Sequence, residues 1–157
     1  MVEYEYSKKV DSLDKYIKYC EANSFILSGK VNQIRTIYRK DDSTMARITI
    51  NKTNKTTTYE LDFKEDKLSS GELIARKETL SLMFEDMVAI KSILDFLGYR
   101  EDNTLIRNRY IYEKDGVKFE LDEYIEPEKC NVVSLEGNKE KADAIWKKTC
   151  IAENLEL

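Results

Sequence analysis

The sequence predicts an α+β fold: an antiparallel sheet of about eight strands, curled into a closed or nearly closed barrel, with three flanking helices. Three observations lead there. Most of the chain alternates apolar and charged residues with a period of two, the pattern of strands with one buried face. Short turn signals separate consecutive alternating runs, and tight connections join antiparallel neighbours. Three other stretches carry apolar residues at helical spacing instead.

In order, Val2 to Tyr6 places Val2, Tyr4 and Tyr6 opposite Glu3 and Glu5, which reads as a first strand. Asp11 or Ser12 can cap a helix over about 13–22, where Leu13, Tyr16, Ile17 and Cys20 share a face. Strands follow over 31–39 and 44–52, parted by the turn-like Lys40-Asp41-Asp42-Ser43, then over 56–64. Gly71 punctuates the chain before a strand over 72–80. A second helix is expected over 82–97, closed by Gly98 in the position that favours glycine after a helix. Strands over 104–113 and 117–123 flank Asp115-Gly116, the strongest hairpin signal in the chain. Pro127 marks a turn before a strand over 130–136, and Gly137-Asn138 opens a helix over 139–152 with Ala142, Ile145 and Trp146 inward. No linker interrupts the series, so residues 1–157 read as one domain.

Composition excludes whole classes of chemistry. The 157 residues contain no histidine, which removes Ser–His–Asp and Cys–His nucleophiles and every His-based zinc site. The net charge of −4 argues against non-specific nucleic-acid binding, which wants a basic footprint. No apolar leader or run long enough to span a bilayer is seen, so the protein is expected in the cytoplasm, away from membranes. Cys20, Cys130 and Cys150 have no metal-ligand spacing and read as reduced thiols. Charged residues make up 36% of the chain against about 25% in ordinary domains, and the excess needs a location.

Strand parity supplies it. Arg107 and Arg109 share a face; Lys118, Glu120 and Asp122 oppose Val117, Phe119 and Leu121; Glu60, Asp62 and Lys64 oppose Tyr59, Leu61 and Phe63. Arg47 opposes Ile48, Glu136 opposes Leu135, and Arg76 lies on one face with Glu78. One sheet face is apolar and can be covered by helices, while the other is dense in ions of both signs. Turned into a barrel, such a face loses hydration, at a cost of several kcal/mol per unpaired ion. Mutual pairing, metal ions or a charged ligand must offset that cost. A polyphosphate with divalent cations suits such a surface, because guanidinium and ammonium groups take phosphate oxygens and carboxylates take the metal.

The ordered series of short motifs resembles the CYTH domain, or triphosphate tunnel metalloenzyme family. Glu3-Tyr4-Glu5 matches the two glutamates of its Glu-x-Glu-x-Lys opening. Ala-Arg47-Ile-Thr resembles its Leu-Arg-Ile-Arg strand, Leu-Asp-Phe-Lys64 its Leu-Thr-Leu-Lys, and Arg76-x-Glu78 its Arg-x-Glu pair. Arg107-x-Arg109, Leu121-Asp122 and Leu135-Glu136-Gly137 resemble its C-terminal half. The chain departs from the family at Ser7 for lysine, Thr49 for a second arginine, Leu80 for an acidic residue, Ser134 for a glutamate, and Arg35 for an aspartate. Lys8 has the wrong parity to replace the lysine unless a bulge turns it inward.

The resemblance implies metal-dependent hydrolysis of inorganic triphosphate, thiamine triphosphate or a nucleoside triphosphate. Glu3, Glu5, Glu120, Asp122 and Glu136 would share Mg²⁺ or Mn²⁺, with Glu3 and Glu5 catalytic. Arg47, Lys64, Arg76, Arg107, Arg109 and Lys118 would bind the phosphates. A small-molecule triphosphate is the implied partner, and a homodimer is common in the family. Two alternatives stand beside hydrolysis: a tunnel that binds a polyphosphate or nucleotide without turnover, and a class IV adenylyl cyclase, for which no adenine pocket is legible.

Overall fold

The computed structural model describes residues 2–70 and 73–154. Its strands are β1 (Val2–Val10), β2 (Ile26–Arg39), β3 (Thr44–Lys52), β4 (Thr57–Ser70), β5 (Leu73–Glu78), β6 (Leu82–Met83), β7 (Arg100–Lys114), β8 (Val117–Glu126) and β9 (Cys130–Gly137). The helices are α1 (Asp14–Ala22), α2 (Met87–Phe96) and α3 (Lys139–Asn154). The sheet runs β3-β2-β7-β8-β9-β1-β5-β4-β6, and β3 also pairs with β4. That last ladder, from Thr44 opposite Glu65 to Lys52 opposite Thr57, brings the two ends of the sheet together. The result approximates a barrel, and every ladder in it is antiparallel.

The apolar strand faces point outward and the helices cover them in two clusters. Under α1 and α3, Tyr16, Cys20, Ala142 and Trp146 pack on Phe119, Leu121, Val133 and Leu135 of β8 and β9. Aromatic contacts key this cluster: the Trp146 ring stacks on Tyr6 at 5.3 Å, and Phe25 meets Phe119 edge-on at 5.3 Å. Under α2, Ile90 and Leu94 pack on Tyr38, Ala46, Ile48 and Leu61. Both clusters lie outside the sheet, which leaves its charged face to line the interior.

Several element bounds differ from expectation for identifiable reasons. The second helix starts at Met87 rather than 82, because the Asp86 carboxylate accepts the Ala89 N–H at 2.9 Å and sets the N-cap there. Leu82 and Met83 instead pair with Leu61 and Glu60 of β4 as β6. The N-cap of α1 is Leu13, without a side-chain bond, although Ser12 Oγ accepts the Asp14 N–H at 3.2 Å. The strand β2 begins at Ile26, five residues before the alternation becomes legible, and an irregularity between Leu27 and Gly29 explains the broken pattern. Gly98 has the positive φ of 89° expected after a helix, and the Asp115-Gly116 turn has φ of 51° and 76°. The punctuation placed at Gly71 lies outside the described residues.

Candidate functional site

The strands enclose a cavity of about 810 Å³ whose wall carries Arg35, Arg47, Lys64, Arg107, Arg109 and Lys118 among its cations, and Glu5, Asp62, Glu120, Asp122 and Glu136 among its anions. Strand alternation puts them there: on β7 and β8 every second side chain faces in, and Arg109 is the register partner of Asp122. Likewise Arg47 of β3 sits opposite Asp62 of β4.

Those register pairs are bidentate ion pairs. Arg47 donates through Nε and Nη2 to the two Asp62 oxygens at 2.6 and 2.7 Å. Arg109 does the same to Asp122 at 2.7 and 2.8 Å, and its Nη1 reaches Glu120 at 2.7 Å. Charge-assisted forks of this kind are strong and directional. Arg107 donates Nη1 to Asp122 at 3.3 Å and to the Tyr124 hydroxyl at 2.7 Å, and Nε to Gln33 Oε1 at 2.7 Å. Gln33 in turn donates to Asn51 at 2.8 Å. The Nη2 of Arg107 is buried with no hydrogen-bond partner among the described residues.

Near β1 and β9 the balance shifts to carboxylates. Lys118 Nζ lies 3.1 Å from Glu120 and makes a short ion pair with Glu136. Burial alone would push the Glu120 carboxyl up, but Arg109, Lys118 and Arg107 overcome it and hold the group at about 2. For Glu136 burial comes first and the Glu120 charge adds to it, so its carboxyl rises despite Lys118, with Glu5 contributing in the same sense. Glu5 is the register partner of Glu136.

The residues that depart from the family pattern have defined places. Ser7 and Ser134 are register partners facing the cavity, and Ser134 Oγ lies 3.0 Å from Ser7 Oγ. The β1–β9 register is regular from Glu5 to Val10, so no bulge turns Lys8 inward. Its ammonium lies over the Trp146 ring at 5.4 Å instead. Thr49 and Arg35 are also register partners, and Arg35 donates Nε to Thr49 Oγ1 at 3.0 Å. The guanidinium expected at position 49 is therefore supplied by the neighbouring strand. Leu80 is 85% exposed.

Of the residues singled out from sequence, Glu5, Arg47, Lys64, Arg107, Arg109, Lys118, Glu120, Asp122 and Glu136 all line the one cavity. Glu3 is the register partner of Arg76 across β1 and β5, and the side chains of both lie outside the described set. Sequence reasoning did not assign Gln33, Arg35 or Tyr124 to the site. On β2 the inward set Val31, Gln33, Arg35 and Ile37 mixes apolar with polar, so parity alone does not mark the face.

Oxygen donors suit Mg²⁺ or Mn²⁺. Among the described residues no three acidic or thiol side chains are placed to share an ion. At the acidic end Glu5 and Glu136 are register partners, and Glu120 faces the same cavity beside Lys118. No helix among the described residues is long and apolar enough to cross a membrane.

No family model matches the sequence, and no curated protein matches it. Solved structures do match in fold. The protein PH1012 of Pyrococcus horikoshii OT3 superposes with a TM-score of 0.76 at 21% identity, over 99% of this chain and 90% of that one. HpAC1 from Hippeastrum, described as a candidate adenylyl cyclase with a dominant triphosphatase activity, gives 0.67 at 14% identity over 96% and 87%. A candidate adenylate cyclase of Vibrio parahaemolyticus gives 0.66 at 11% identity over 99% and 87%. The chain thus has the triphosphate-tunnel, or CYTH, fold.

Proposed function

We propose that this chain binds a small molecule bearing a triphosphate inside the barrel and hydrolyses a phosphoanhydride bond of that chain. The observation that carries the reading is one cavity wall holding Arg35, Arg47, Lys64, Arg107, Arg109 and Lys118, with carboxylates fixing several of the guanidinium forks in place. Such a wall is preorganised: the donors are oriented before the ligand arrives, which suits charge developing on phosphoryl oxygens. Asp62 and Asp122 act here as positioning residues. Each guanidinium has five N–H donors, and Arg109 directs Nε, Nη2 and Nη1 at Asp122 and Glu120, which fixes the plane of its fork.

Hydrolysis also needs a proton acceptor for water. With no histidine, the role falls to a carboxylate, and Glu136 is best suited because burial and the neighbouring Glu120 raise its proton affinity. Glu5 is its register partner on β1, and Glu3 joins them only as the resemblance implies. Glu5, with Glu3, Glu120 and Asp122 as the resemblance implies, would hold a divalent ion, which leaves Glu136 as the proton acceptor. A bound Mg²⁺ or Mn²⁺ would supply neutralisation of the phosphoryl oxygens.

Phosphate release from inorganic triphosphate with Mg²⁺ or Mn²⁺, wild type beside Glu5→Gln, tests this. We expect release by the wild type and a drop of roughly a hundredfold or more in the variant. Equal rates in the two would remove the acidic end from the reaction. The Ser7–Ser134 hydrogen bond favours a second reading, binding without turnover, since that pair brings no charge to the cavity. Tight binding in calorimetry with no phosphate released would select it.

A further inference from the structure

The cations of the cavity are not equivalent. Arg47 is clamped by Asp62, Arg109 by Asp122 and Glu120, and Lys118 by Glu120 and Glu136. Arg35 makes no ion pair with a carboxylate among the described residues, and its one hydrogen bond goes to a neutral hydroxyl, Thr49 Oγ1. It faces like charges: burial and then Arg47, Arg107 and Arg109 push its guanidinium well below the usual arginine range, against an opposing contribution from Asp62. A guanidinium surrounded this way is a standing cost in the empty protein.

Register shows where it stands. On the β2–β7 ladder Val31 pairs with Arg109, Gln33 with Arg107, and Arg35 with Leu105, while on β3 Arg47 pairs with Ile37. Arg109, Arg107, Arg35 and Arg47 therefore occupy four successive inward rungs, spaced about 6.8 Å apart along the strand direction. Arg47 and Arg109 are held by bidentate carboxylates, Arg107 meets Asp122 through Nη1 alone, and Arg35 meets no carboxylate among the described residues. Next to Arg35 in that row, Arg107 keeps a buried Nη2 that donates to nothing among the described residues.

We propose that Arg35, with Arg107 Nη2, is the seat of one phosphoryl group of a triphosphate chain, and that the ligand is the missing counter-ion of this row. The proposal rests on the tunnel binding a triphosphate at all, and it assigns the principal anchor within it. Arg47 and Arg109 exchange one set of anionic partners for another when the ligand enters. Arg35 gains one where the described residues offer it none. The anchor should therefore contribute more to binding than its clamped neighbours, and should weaken the empty protein where they do not.

That pair of signatures separates an anchor from a structural arginine. Thermal melting and calorimetric titration with inorganic triphosphate would be run in EDTA and again with Mg²⁺, on wild type, Arg35→Gln and Arg35→Lys. Glutamine keeps a donor for Thr49 and removes the charge. We expect Arg35→Gln to melt higher than wild type without ligand, and to bind triphosphate roughly ten- to a hundredfold more weakly. Lysine keeps the charge without the fork and should fall between the two in affinity. Wild-type binding with an unchanged Kd in Arg35→Gln would overturn the proposal, as would an Arg35→Gln protein that melts lower than wild type. No binding by the wild type in either condition would instead overturn the triphosphate reading beneath it.

Discussion

Asp122 is 1% exposed and serves two guanidiniums at once, Arg109 through both oxygens and Arg107 through one. Removing its charge strands two buried cations, and breaking a buried pair of this kind costs about 3–5 kcal/mol. Asp122→Asn should lose stability in that range by urea denaturation, and a loss under about 1 kcal/mol would mean that water already screens the site. Glu120 gives the site a pH signature. Its folded-state carboxyl sits at about 2, below the unfolded value, so it stabilises the fold above the unfolded value and that contribution is lost as pH falls toward about 2. Wild type should therefore lose stability between roughly pH 4.5 and 2 more steeply than Glu120→Gln, and parallel curves would contradict the assignment. Single residues were legible in the sequence where strand alternation was strict, as at Arg107, Arg109, Glu120 and Asp122. Arg35 was visible only as a departure, because its significance lies in which carboxylates fail to reach it, and that depends on three strands at once.

At the scale of elements, the β7–β8 hairpin and the end of β9 show how local backbone geometry fixes register, and register fixes which side chains enter the cavity. Gly116 has φ of 76° with open space where a methyl would go, so Gly116→Ala should cost only the left-handed strain of about 1–2 kcal/mol. Gly137 has φ of 134°, and a methyl there would collide with the Gly116 carbonyl and lie 3.1 Å from Val117 Cα. Gly137→Ala should therefore be the more damaging of the two in denaturation midpoint, and it should weaken ligand binding by shifting Glu136 beside it. Equal costs would show that the β8–β9 edge relaxes freely. The hairpin was readable because Asp-Gly dictates its turn, whereas the start of α2 was not. Its apolar residues keep helical spacing back to Met83, and only the Asp86 cap and the β6 pairing decide where the helix begins.

At the scale of the molecule, three helices cover the outer apolar faces and the barrel turns its ions inward, so the fold and the site are one arrangement. The fold class and the segregation of the two sheet faces followed from periodicity, and the antiparallel order from the turn signals. The ladder between β3 and β4 did not, since it depends on register around the whole sheet. A cavity whose cations are partly matched by its own carboxylates should prefer a compact, highly charged ligand and should release it as salt rises. The most direct test is a calorimetric titration of the wild type with inorganic triphosphate at low and high ionic strength. We expect one ligand per chain, bound more weakly in high salt and more weakly again in Arg35→Gln. No heat of binding and no shift in melting temperature at millimolar triphosphate, with or without Mg²⁺, would contradict a triphosphate-binding tunnel.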